Sequence, residues 1–201
     1  MEEIKVALFG GSFDPPHKGH VQFAESILNS GLVDEVWLVP CNKSRYDKSL
    51  QSGYDRIAMC EYAVEAWNNI KVCDWEIKNN TSGETYKLLK KFLNDPDFKE
   101  YDFYFAIGMD NAQKAPSWVN WSWIEKNVKF MIVPRKGYDE DPDINWYKKE
   151  PHICLNEVDI MDVSSTEIRE LMDKDDPKIN ELLPDDVVEY IIHKDLYHGS
   201  E

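Results

Sequence analysis

The stretch FGGSFDPPHKGH, residues Phe9 to His20, follows directly on the apolar run Ile4–Phe9. Gly10 and Gly11 let the chain turn sharply and let its main chain come close to a ligand. The next helix is expected to start near Lys18, and its first amide groups form an anion site that fits a triphosphate. His17 and His20 are three residues apart, so on a helical turn both imidazoles point the same way. As imidazolium or as neutral donors they can bind the oxygens of a phosphoryl group under attack. The stretch is no dinucleotide fingerprint, because GxGxxG is missing and strand two ends in Val39-Pro40 rather than in an acid that would hold a ribose. A GxxxxGK[ST] phosphate loop is missing too.

Outward from this stretch, strand-like apolar runs alternate with helical patterns. Strands are expected at Ile4–Phe9, Glu35–Val39, Ile70–Trp75, Tyr101–Ile107, Lys129–Val133 and, as a sixth, Ile153–Val158. Helical spacing covers Val21–Leu28, Arg56–Trp67, Thr85–Leu93, Thr166–Met172 and Val187–His193. Such alternation predicts an α/β fold: a Rossmann-like, doubly wound parallel sheet with helices on both faces and a small C-terminal helical part. One domain over residues 1–201 is expected, with the helical segment at about 164–197. Gly137–Lys149 is the most irregular region and reads as a loop or lid. In such sheets the ligand sits beyond the carboxyl ends of the strands. The segments Gly10-Gly11-Ser12, Cys41–Gly53, Gly108-Met109-Asp110 and Pro134–Gly137 are therefore expected to line one crevice.

The chain has 201 residues and a net charge of −15, unevenly placed. Residues 139–201 hold 6 basic and 19 acidic side chains, a net of −13. That surface repels nucleic acid. No apolar run approaches the roughly 20 residues that span a membrane. The acidic start MEEIKVALFG is unlike a basic leader, and the four scattered cysteines read as reduced thiols. A cytoplasmic protein is the expectation. His152 and Cys154 alone are too few for a zinc site.

A second polar cluster, Ser164-Ser165-Thr166-Glu167-Ile168-Arg169, lies far downstream. Ser164 or Ser165 can cap the following helix, with Glu167 near the capping-box position. Three hydroxyls, free amides and Arg169 also make a second anion site. Taken together, Gly11–Pro15 with His17-Lys18-Gly19-His20 resembles the signature of the HxGH nucleotidyltransferases. Ser164–Arg169 is similar to the ISSTxIR motif of nicotinate/nicotinamide mononucleotide adenylyltransferases, with Val163 where isoleucine is usual. The stretch LLPDDVVEYIIHKDLY resembles that family's C-terminus, so the likeness runs over nearly the whole chain.

The resemblance implies an adenylyltransferase that makes NAD, or nicotinate adenine dinucleotide, and pyrophosphate from ATP and the mononucleotide. It implies His17 and His20 as catalytic residues. Gly11, Ser12, Phe13, Gly108, Asp110, Ser164, Thr166 and Arg169 would bind ATP, with Asp110 accepting from a ribose. Lys48, Thr85, Trp118 and Arg135 would bind the mononucleotide; a tryptophan face suits a pyridinium cation. Lys43 and Arg45 stay unassigned. Mg²⁺ is implied with ATP, with no protein ligand named. Glu84 beside Thr85 would repel a carboxylate on the ring if it faced it, which predicts that nicotinamide mononucleotide is at least comparable with the nicotinate form. Two alternatives stay open: pantetheine-phosphate adenylyltransferase, which shares the opening motif, and a nucleotide-binding sensor without chemistry. Oligomeric state is left open as well.

Overall fold

Among the described residues, which are 3–43, 49–137 and 141–197 of this computed structural model, six strands form one parallel sheet. They are β1 (Ile4–Gly11), β2 (Glu35–Pro40), β3 (Ile70–Val72), β4 (Tyr101–Gly108), β5 (Lys129–Val133) and β6 (Ile153–Cys154). Their spatial order is β3-β2-β1-β4-β5-β6, so the winding reverses between β1 and β4. That switch point is where an open α/β sheet leaves a crevice at its carboxyl edge.

The strands read as continuous apolar runs because both faces are covered. Alternate residues enter two separate cores. Ala7, Val36, Leu38, Ala106, Met131 and Val133 enter one; Val6, Leu8, Trp37, Phe105, Phe130 and Ile132 enter the other. The first core is closed by α1 (Lys18–Asn29), α2 (Gly53–Val64), α7 (Ser165–Met172), α8 (Ile179–Leu182) and α9 (Asp185–Lys194). The C-terminal helices therefore share buried residues with the sheet, among them Ile168, Leu183, Val187 and Ile191. The second core is closed by α4 (Thr85–Phe92), α5 (Met109–Lys114) and α6 (Trp121–Asn127).

The third strand is shorter than its apolar run suggests. It ends at Val72, and α3 (Trp75–Lys78) follows at once. Trp75 leaves the sheet because its ring has a better place: it packs edge-on against Phe92 at 5.3 Å and donates to Asp95 at 2.8 Å. The sixth strand is cut to two residues, with Val158 making only an isolated bridge to Arg135. The far end of Gly137–Lys149 is core rather than lid. Trp146 and Tyr147 are buried, and the Trp146 indole donates to the Ala112 carbonyl at 2.9 Å.

Candidate active site

β1 ends in a loop whose strain is paid out in position. Phe13 takes φ 49°, a left-handed conformation costly for a bulky residue. Its ring is fully buried against Phe9 and His20, which holds it there. Only the Phe13 main chain can then meet a ligand. His17 is the N-cap of α1, and the two histidines cap one another. His20 N–H donates to His17 Nδ1 at 3.3 Å, and His17 N–H donates to His20 Nδ1 at 3.2 Å. The rings stack with centroids 3.6 Å apart. With each Nδ1 accepting, a neutral ring carries its proton on Nε2, so each histidine keeps one donor nitrogen for a ligand. Burial, and then the Arg135 charge, lower the His17 pKa to about 4. Burial, then His17 and Arg135, hold His20 well below its ordinary value. Both rings are therefore neutral near pH 7 without a ligand. Gly19 is required here: a Cβ would stand 2.9 Å from the Met161 carbonyl oxygen.

The second motif is stitched to this loop. Ser164 is the N-cap of α7, accepting from Glu167 N–H at 3.1 Å. Ser165 turns the other way and donates to the Pro15 carbonyl at 2.9 Å. Arg169 donates Nη1 to the Asp14 carbonyl at 2.7 Å and Nη2 to Thr166 Oγ1 at 3.3 Å. The Asp14 side chain, 1 % exposed, accepts from Gln51 N–H and from the Tyr197 hydroxyl. Burial raises its pKa against those two bonds and the charges of Arg169 and Arg56. Arg56, also 1 % exposed, donates Nη1 to the Ser12 carbonyl at 2.8 Å and Nε to the Gln51 carbonyl at 3.0 Å.

Beside the loop lies a crevice of about 320 Å³ at the carboxyl ends of β1, β2 and β4. Its walls bring together Gly11, Ser12, Thr85 and Trp118, all singled out in the sequence, with Lys43 and Glu76. Thr85 opens α4 as expected, and Glu84 also lines the crevice. Glu84 Oε2, however, is ion-paired to Lys87 Nζ at 2.5 Å, which offsets its charge toward the cavity. Gly108 is the N-cap of α5, where a Cβ would stand 2.7 Å from Asp110 Oδ1. Asp110 in turn lies 3.7 Å from Arg135. Arg135 thus stands with Asp110 and the histidines rather than among the residues lining the crevice with Thr85 and Trp118. Lys48, and with it Arg45, lies outside the described residues.

The cytidylyltransferase-like family matches residues 8–171, which includes both motifs. The chain belongs to that family. It is 32% identical over 203 residues to a "Probable nicotinate-nucleotide adenylyltransferase" of Halalkalibacterium halodurans, covering 98% of this chain and 93% of that one. A relative of the same name from Methylacidiphilum infernorum is 29% identical, with 96% and 92% covered. The fold matches the Plasmodium falciparum nicotinic acid mononucleotide adenylyltransferase complexed with NaAD, with a TM-score of 0.80, 28% identity, and 96% and 97% of the two chains covered. The protein is an adenylyltransferase of NAD biosynthesis.

Sequence reasoning passes over three residues of this adenylyltransferase's site. Lys43 lines the crevice as its place just after β2 implies, yet its residue type alone assigns it no role. Arg56 sits inside an amphipathic helix, where an arginine reads as surface; only the fold shows it fully buried. Asp14 is visible within the opening motif, but its partner Tyr197 lies 183 positions away. No helix among the described residues is long and apolar enough to cross a membrane.

Proposed function

We propose that the protein transfers the adenylyl group of ATP to nicotinate or nicotinamide mononucleotide and releases pyrophosphate. A phosphate oxygen of the mononucleotide attacks the α-phosphorus, and the bond between α-phosphorus and the bridging oxygen breaks. Pyrophosphate leaves with the electron pair. The attacking phosphate is largely ionised at neutral pH, since its second pKa is about 6, so no general base is needed. The work is positioning and charge stabilisation.

The observation that carries this reading is the reciprocal cap of His17 and His20 at the switch point. It fixes both rings and leaves both Nε2–H groups as donors. In this reading they hold the α-phosphate as charge builds. The main chain of Gly11, Ser12 and Phe13 and the first amides of α1 lie along the phosphates. Ser164, Thr166 and Arg169 at the start of α7 take the β- and γ-phosphates, while Gly108 and Asp110 receive the ribose. Arg135, paired with Asp110, contributes on the ATP side of the site. Thr85 and Trp118 receive the pyridine ring, and Lys48 the mononucleotide phosphate.

Among the described residues no group of three or more His, Cys, Asp or Glu could hold a metal ion. Mg²⁺ is read as arriving on the triphosphate, with a hard cation's preference for phosphate oxygens and water. When bound it neutralises charge on the leaving pyrophosphate. The nicotinate names of the relatives, and the Lys87 partner that offsets Glu84, support acceptance of the nicotinate form as well as the nicotinamide form. A cytoplasmic enzyme fits these substrates. The test is pyrophosphate release from ATP and Mg²⁺ with nicotinate mononucleotide, nicotinamide mononucleotide or pantetheine phosphate offered singly. Release with either pyridine mononucleotide supports the reading; release with pantetheine phosphate alone overturns it.

A further inference from the structure

The first loop of the site is fastened to residue 197. The Tyr197 hydroxyl donates to Asp14 Oδ1 at 2.5 Å, across 183 positions of sequence. The backbone is bent to make this contact. Asp195 (φ 55°) ends α9 in the left-handed region, Leu196 N–H returns to the Ile191 carbonyl, and Tyr197 itself holds φ 64°. A bulky residue in the left-handed region, as Tyr197 is, needs the surrounding structure to hold it, and such strain gathers where function needs a position. Asp14 lies three residues before the N-cap histidine, and its other partners come from separate segments. Gln51 N–H meets its carboxylate, and Arg169 of α7 holds its carbonyl. Arg56 of α2 fixes the neighbouring Ser12 and Gln51 carbonyls.

We propose that Tyr197 is a positioning residue for adenylyl transfer, acting through Asp14 to fix the loop that carries His17. Its hydroxyl stays protonated throughout the working range, because burial and the Asp14 charge push its pKa far up. As a carboxylate Asp14 accepts from both Tyr197 and Gln51 N–H, and its charge strengthens both bonds. Burial works against that state; the hydroxyl, the Gln51 amide, Arg169 and Arg56 work for it. Removing the hydroxyl therefore moves Asp14 toward protonation at higher pH, and the loop slackens earlier as pH falls.

The test uses Tyr197→Phe, which keeps the ring and loses only the hydroxyl, alone and combined with Asp14→Asn. The activity arm rests on the adenylyl transfer proposed above. Tyr197→Phe is expected to lower kcat by about tenfold, as loss of one charge-assisted bond allows, with less than about threefold change in the KM for ATP. Its acid limb moves to higher pH, so the ratio of variant to wild-type kcat falls as pH is lowered. In the Asp14→Asn background the same change alters kcat by less than about twofold, since the pair acts as a unit. A lower melting temperature with an unmoved acid limb makes Tyr197 merely structural and overturns the proposal, as does the full loss reappearing in Asp14→Asn. Hydrogen exchange of the Gln51 amide gives a readout that needs no substrate. Faster exchange in Tyr197→Phe supports the link and equal exchange overturns it, even if wild type released no pyrophosphate and the substrate reading alone fell.

Discussion

The two ends of the site are built differently. At the end proposed for the phosphates Asp14, His17 and Arg56 are buried, and the carbonyls of Ser12, Asp14 and Pro15 are each held by a side chain from a distant element. At the end proposed for the base Thr85 and Trp118 are half-buried, Lys43 is exposed, and the acid in the wall is tied to a lysine that is 57% exposed. The first end is buried and braced by side chains from other elements; the second is more open and more lightly held. A fixed frame suits charge stabilisation, which depends on donors that do not reorganise during reaction. A yielding wall suits a flat ring that differs between two substrates by one group.

If the contrast holds, damage at the phosphate end is large. His20→Ala should lose about 10²–10³ in kcat, as removing one preorganised donor does, while still binding ATP. A kcat within twofold of wild type would break the comparison at its centre. The depressed His17 pKa has a cost of its own. The unfolded chain takes up a proton below about 6.5 that the folded ring refuses until about 4. Stability therefore falls as pH drops through that window, by about 2–4 kcal/mol at its lower edge. Urea midpoints between those two pH values check the sign, and His17→Asn should flatten the slope.

Arg169→Ala strikes both the loop and the proposed outer-phosphate site. The KM for ATP should rise about 10- to 150-fold, the value of a charge-assisted contact of roughly 1.5–3 kcal/mol, and kcat should fall with it. A rise confined to the mononucleotide KM would move Arg169 to the other end. Neutral histidines also predict a flat kcat/KM from about pH 7 to about pH 9, above the substrate phosphate's own titration near 6. An imidazolium donor of ordinary pKa would instead give a tenfold fall per unit. The smallest effect belongs to the base end. Glu84→Gln frees Lys87 and should shift kcat/KM toward nicotinate mononucleotide by about threefold, the scale of an exposed ion pair. A shift beyond about 100-fold would show that this wall is as rigid as the other.

Much of the frame is legible in local pattern. The strand β5 has the bounds its apolar run predicts, and α4 begins at Thr85 as its spacing says. Both motifs sit at the carboxyl edge that alternation implies. What escapes is decided by partners far away in sequence. Trp75 looks like a strand residue until Phe92 and Asp95 are seen to receive it. Ser164 and Ser165 are equal as caps on paper; the Pro15 carbonyl, 150 positions back, takes one and leaves the other to the helix. Arg135 is expected at the mononucleotide from its place after β5, and the 3.7 Å approach to Asp110, 25 positions back, is visible only in the fold.

The bond between Asp14 and Tyr197 also sets a clock during synthesis. Translation at about 5–20 residues per second separates the two partners by roughly 10–40 s, a gap fixed by their 183 positions. Throughout that interval the histidine loop leaves the ribosome without its most distant brace, with Arg169 arriving only shortly before. The nascent chain can form β1 and α1 early, yet its phosphate end cannot be assembled until the last helix has turned back on itself. Ribosome-bound chains cut short of Tyr197 should thus carry both signature motifs without the completed site.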